Sequence, residues 1–369
     1  MTQPGGSVSA HTVRALARQH RDGWVKRLLE HAEVMAPVRA AQGDVVFATI
    51  ASPDDVLWEF ENPILPPKSV LLPQTEPLTR IRRWEGRHEL ETPPEPGPRV
   101  LLNARSCDTT ALAYLRHAFA EAPPDASVLR RADALTVVTL ACDRPCELGF
   151  CVCCDAGPFL HENFDVQLTD LGATLLVEVG SDKGQALVDL APGLFRAATA
   201  DEVNARAQRE DVARQTLGEE TSHFGAAMRR ISTNRVPDSL WDAMSPWCLE
   251  CGGCTLACPT CYCFSVADQP APEEARADDE RCWVRCRTWD SCQYAAFTME
   301  ASGHNPRAEH RERMKRRFYH KASAQYFQRD GRLGCVGCGR CIKVCMGSTD
   351  MPAVVHAIRK GTWDGGRAL

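Results

Sequence analysis

Eight cysteines set the chemistry open to this chain. Cys248, Cys251, Cys254 and Cys258 lie in CLECGGCTLACP, and Cys335, Cys338, Cys341 and Cys345 lie in CVGCGRCIKVCM. Both runs have the spacing C-x2-C-x2-C-x3-C, in which three thiolates surround one iron–sulfur cube and the fourth reaches a neighbouring cube. With the usual exchange of fourth ligands, one [4Fe-4S] cluster takes Cys248, Cys251, Cys254 and Cys345, and the other takes Cys335, Cys338, Cys341 and Cys258. Gly252, Gly253, Gly337 and Gly339 let the loop backbone approach a cluster without a side chain in the way. Zinc is the competing reading, but it takes paired C-x2-C hooks and has no use for a further cysteine three residues on. The chemistry this pattern favours is the transfer of single electrons.

A second group of cysteines lies upstream. PRVLLNA (98–104) reads as a buried strand, a helix over 109–122 follows with Asp108 as its cap, and ALTVVTL (134–140) reads as the next strand. Strand, helix, strand predicts a parallel pair with a right-handed crossover. Cys107 and Cys142 then fall at the carboxyl edge of the sheet, where open α/β sheets place ligands. With Cys151 and Cys153 they form a candidate set for a third cluster, for which Cys146 and Cys154 are alternative ligands. The competing reading is that several are buried free thiols packing as small hydrophobes. Packing is also the simpler reading of Cys261 and Cys263, and Cys282, Cys286 and Cys292 invite the same caution.

The elements around these residues divide the chain into two parts. FDVQLTD and ATLLVEV (164–179) predict closely paired strands, and a largely polar helical stretch runs from about 201 to 230. NRVPDS breaks that pattern, which puts a boundary near 235. The expected fold class is α+β. Residues 1–235 form an α/β domain with a small mixed or parallel sheet, the possible third cluster and a terminal linker helix. Residues 236–369 form a split two-cluster ferredoxin-like domain with a long helical insertion, since 76 residues separate Cys258 from Cys335. Within the insertion, 268–281 is acidic and RAEHRERMKRRFYHK (307–321) reads as a basic helix. The ordinary reading of such a helix is a solvated face, and the alternatives are docking an acidic partner or ordering the cluster domain.

A net charge of −5 argues against general nucleic-acid binding. The polar N-terminus lacks the apolar run of a signal peptide, so the nineteen cysteines point to a reducing cytoplasm rather than to disulfides. The longest apolar stretches are too short for a membrane helix, so no direct membrane insertion is expected. Neither a G-x-G-x-x-G fingerprint, a P-loop nor a nucleophile elbow is present, so the expectation is a subunit without a catalytic site of its own.

The run CLECGGCTLACPTCYCFSVADQ, followed by RTWDSC, GHNPR and CVGCGRCIKVC, resembles the beta subunit of cytoplasmic sulfhydrogenases and the A subunit of anaerobic sulfite reductase. The likeness extends upstream to LLPQTEPL, NARSCDTTAL and VQLTDLGATLLVEVGSDKG. Two departures stand out: Met346 replaces the proline expected after the last motif cysteine, and CELGFCVCCD is more crowded than the family's Cys-Phe-Cys pattern. The resemblance implies an iron–sulfur electron-transfer subunit of a multisubunit complex. Its partners would be a flavin-containing NAD(P)H reductase subunit and the small and large subunits of a nickel–iron hydrogenase, or alternatively sulfite reductase subunits. An iron–sulfur sensor is a further alternative, but no helix-turn-helix output element is evident.

Overall fold

The computed structural model describes residues 12–84, 87–94, 96–217, 222–271, 281–326 and 331–365. Its strands, in chain order, are β1 (Thr12–Ala17), β2 (Glu33–Arg39), β3 (Val45–Thr49), β4 (Thr75–Trp84), β5 (Arg87–Glu91) and β6 (Arg99–Arg105). They continue with β7 (Leu135–Leu140), β8 (Val166–Asp170), β9 (Thr174–Val179), β10 (Phe195–Ala197), β11 (Phe264–Pro270) and β12 (Arg281–Trp289). Eight of them form one mixed sheet in the order β10-β1-β9-β8-β7-β6-β2-β3. Its centre, β2-β6-β7-β8, is parallel, and antiparallel strands close both sides.

The parallel core follows from the sequence. Leu101, Leu102, Val138 and Leu168 lie on strands covered on both faces, which accounts for apolar runs without alternation. One face packs Trp24, Val25 and Leu28 of the helix Arg21–His31 against the sheet, with the Trp24 indole donating to the Leu187 carbonyl at 2.9 Å. The other face is covered by Leu112, Tyr114, Leu115 and Phe119 of the helix Ser106–Ala120. That helix begins earlier than its sequence suggests, and Asp108 does not cap it. Arg105 occupies the cap without a side-chain bond, while the Asp108 carboxylate accepts two bonds from Arg340, at 2.6 and 3.0 Å.

The second sheet, β11-β12-β4-β5, is antiparallel and draws strands from both sides of residue 235. The insertion between the cysteine runs therefore contributes a strand pair, β11-β12, as well as its helix. The pair is β-prone: CWVRCRTW pairs with TEPLTRIRR of β4, and Arg287, 1% exposed, is held by Glu76 and Asp125. Most of the acidic segment at 268–281 lies outside the described residues. The basic helix is His310–Ala322, and its reading as a solvated face is corrected here: Arg313, Arg317 and Lys321 are buried at intervals of four, while Arg311 and Lys315 pair at the surface with Asp242 and Asp238. One core cluster includes Cys107 and Ala111 from the upstream half with Trp241, Phe318, Val354 and Ile358 from the downstream half, so the two halves pack as neighbours around the cysteines.

Candidate iron–sulfur centres

Three cavities hold most of the chemistry. The first is lined by Cys248, Cys251 and Cys254 from the first run and by Cys345 from the second. The second is lined by Cys335, Cys338 and Cys341 and by Cys258 from the first run. The chain crossing that brings each fourth cysteine over is short-range backbone packing. A Cβ on Gly347 would lie 1.9 Å from the Trp247 carbonyl, so only glycine lets the segment after Cys345 close against the one before Cys248.

The two runs share a local build. Gly252 and Gly339, with φ of 72° and 76°, open the short helices Gly253–Leu256 and Arg340–Lys343 that carry the third cysteine of each. The tight approach at Gly337 and Gly339 is to protein backbone: a Cβ at either would meet the carbonyl of Phe150 or of Leu148 at 2.4 Å. These glycines thus admit the loop that bears the upstream cysteines, a use the cluster spacing alone does not reveal.

That loop builds the third cavity, lined by Cys107, Cys142, Cys146 and Cys151 together with Cys338. Cys107 follows β6 and Cys142 follows β7, at the carboxyl edge of the sheet as the βαβ pattern predicts. Cys153 is not in this wall. It sits on the turn Cys151–Cys154 with Cys335 as its charged neighbour, and Cys146 lines the cavity where Cys153 does not. A turn of this kind cannot aim residues two apart the same way. Cys154 is buried beside Cys335, and the contact between the two sulfurs is what holds the Cys335 thiol pKa down.

The electrostatics suit anionic contents. Burial pushes the thiols of Cys107, Cys142 and Cys151 up, and those of Cys254 and Cys338 up to about 12, so loading them with metal must release protons. Donors face the sulfurs: Arg317 Nε donates to Cys254 Sγ at 3.1 Å and the Thr349 amide to Cys345 Sγ at 3.2 Å. Lys321, 2% exposed, donates to Thr260 Oγ1 at 2.7 Å, next to Cys258 Sγ. Burial opposes its charge, but the Cys258 and Cys261 thiolates hold its pKa above the usual lysine value. Lys68 Nζ binds the carbonyls of Cys258 and Cys261, each at 3.0 Å, and stacks 4.1 Å over the Trp289 ring.

All nineteen cysteines are free of disulfides. The ligand candidates ring cavities rather than a point: among the described residues no three Cys, His, Asp or Glu side chains lie close enough to hold a single metal ion. The sulfur-rich, cation-lined walls of the first two cavities suit [4Fe-4S] chemistry, which takes thiolate ligands. Cys261 packs on Cys258, Cys263 on Cys292, and Cys282 and Cys286 are buried on β12. His304 lies in a turn, its carbonyl accepting from Glu300.

The cavities also adjoin. Cys338 and Gly337 line both the second and third, and Arg317 lines both the first and second. The order across the molecule is therefore third, second, first. Sequence reasoning did not single out Arg317 or Lys321, although their spacing of four on a helix containing apolar Met314 and Phe318 was the available signal.

Comparison with known proteins agrees with this chemistry. Residues 247–349 match a family model described as a 4Fe-4S dicluster domain. The chain is 29% identical over 336 residues to the sulfhydrogenase 2 subunit beta of Pyrococcus furiosus, a match covering 91% of this chain and 95% of that protein. The resemblance drawn from the cysteine runs is borne out.

Proposed function

We propose that this chain, a sulfhydrogenase beta-type iron–sulfur subunit, relays single electrons through three [4Fe-4S] clusters set in a row. The observation that carries the reading is the adjoining of the three cysteine-lined cavities, each sharing a wall residue with the next. The assignment gives Cys248, Cys251, Cys254 and Cys345 to an outer cluster, Cys258, Cys335, Cys338 and Cys341 to an inner one, and Cys107, Cys142, Cys146 and Cys151 to an upstream one. Clusters of this type supply one-electron oxidation and reduction. The protein's part is to hold the thiolates, donate hydrogen bonds to sulfur and keep the inner site dry.

Each end of the row has a port. The outer cavity reaches the surface at exposed Cys251, between Leu249 and Met346. The upstream cavity shares Arg105 and Cys146 with a larger recess at the sheet edge, which also contains Trp58, Phe60 and Arg144. Two ports suit a subunit placed between two partners in a cytoplasmic complex. No helix among the described residues is long and apolar enough to cross a membrane. The Pyrococcus relative is named a sulfhydrogenase subunit, which favours hydrogenase partners over sulfite reductase subunits, and we take nickel–iron hydrogenase subunits and a flavin-containing NAD(P)H reductase subunit, the partners the resemblance implies, as those at the two ports. The test is Cys254→Ala in the assembled complex. We expect electron transfer between NAD(P)H and the hydrogenase subunits to be abolished with the partners' own artificial-dye activities intact, whereas unchanged transfer would sink the relay.

A further inference from the structure

We infer that Arg317 and Lys321 make the inner cluster the first of the dicluster pair to accept an electron, with Arg317 acting on both clusters and Lys321 on the inner one alone. The inference rests on the cluster assignment proposed above. Both side chains belong to the helix His310–Ala322, stand four residues apart on one face and are buried, at 4% and 2% exposed. Arg317 lines the outer and inner cavities, while Lys321 lines only the inner.

Their hydrogen bonds leave positive charge to spare. Arg317 Nε donates to Cys254 Sγ at 3.1 Å and Nη2 to the Cys254 carbonyl at 3.3 Å, but Nη1 is buried with no partner among the described residues. A buried unpaired N–H is costly, and one in the wall of two thiolate-lined cavities has the sulfurs of a cluster as its natural acceptors. Lys321 donates to a neutral hydroxyl, Thr260 Oγ1. Nearby, Arg313 is paired with Glu250 and Arg340 with Asp108, and Lys68, which also lacks a described carboxylate partner, spends its bonds on the carbonyls of Thr255, Cys258 and Cys261 and lines neither dicluster cavity. Arg317 and Lys321 are the cations in the walls of the two dicluster cavities, and their described partners include no carboxylate.

Reduction adds one electron, and so one negative charge, to a cluster and its four thiolates. A buried cation stabilises that added charge more strongly than one in water, and hydrogen bonds to sulfur act in the same direction, so both raise the potential. Water at exposed Cys251 also favours reduction of the outer cluster, but it screens Arg317 there. The inner cluster has both cations and little solvent.

The test is an EPR-monitored redox titration of the full chain under anaerobic conditions with electrochemical mediators as the electron source. Iron content is measured first, and Cys251→Ser identifies the outer signal. In loaded Lys321→Met we expect the ratio of reduced to oxidised inner cluster at fixed potential to fall at least tenfold, a shift of about 59 mV for one electron, with the outer cluster nearly unmoved. Arg317→Gln lowers both, and Arg317→Lys, which keeps the charge but not the guanidinium fork, restores part of the loss. Lys321→Gln takes the place of the methionine variant should that one load poorly. Wild-type protein whose outer signal develops first, or a loaded Lys321 variant whose inner signal moves no more than the outer, overturns the inference while leaving the cluster assignment standing. Wild-type protein without [4Fe-4S] signals overturns both.

Discussion

Cys146 and Cys153 lie seven positions apart in one crowded loop but serve different surroundings. Cys146 faces Cys107, Cys142 and Cys151 across the upstream cavity, while Cys153 is turned toward Cys335. The sequence places four thiols between 146 and 154 without saying which way each points, because direction depends on the turn Cys151–Cys154 and on the αL residue Asp155 that ends it. Periodicity has no hold on so irregular a segment. The two positions should separate in experiment: Cys146→Ser should remove about four irons per chain and Cys153→Ser none, as read by iron analysis of anaerobically purified protein. Loss from Cys153→Ser with none from Cys146→Ser would return the ligand set to Cys107, Cys142, Cys151 and Cys153. By contrast, the eight cysteines of the two runs need no such sorting, since their spacing already specifies which share a loop.

At the scale of elements, the most telling contact is the Asp108–Arg340 pair. It joins the start of the helix after β6 to the short helix carrying Cys341, and Arg340 Nε also binds the Pro63 carbonyl at 2.7 Å. Both partners are about 1% exposed, so removing one strands a buried charge. Asp108→Ala should cost about 3–5 kcal/mol, measured as a fall in the denaturation midpoint. Asp108→Ala combined with Arg340→Met should recover much of it, and a single variant as stable as wild type would contradict the account. From sequence, Asp108 reads as a helix cap because its position before an apolar helix fits one. The ion pair joins residues 232 positions apart, and no local pattern encodes it. The parallel pair β6-β7 and the hairpin-like β8-β9 were legible, since both follow from short-range apolar runs and turn signals. The basic helix was legible as a helix but not in its burial, because charged residues normally face water, whereas here Arg313 meets Glu250 and Arg317 and Lys321 lie against the cysteine-lined cavities.

At the scale of the whole molecule, two halves that the sequence separates near residue 235 share a core and a sheet. The β4-β12 pairing, which joins them, lies between segments about two hundred residues apart and so has no local signature. The dicluster region is thereby packed against the sheet edge that presents Cys107 and Cys142, which sets the three cysteine-lined cavities side by side and supports the proposed row. The number of clusters per chain decides whether such a row exists. The most direct measurement is iron and acid-labile sulfide per chain after strictly anaerobic purification, beside a Cys107→Ser/Cys142→Ser variant. The account predicts about twelve irons with matching sulfide, falling to about eight in the variant. About eight in both would contradict it, leaving the upstream thiols as packing and the row one cluster short.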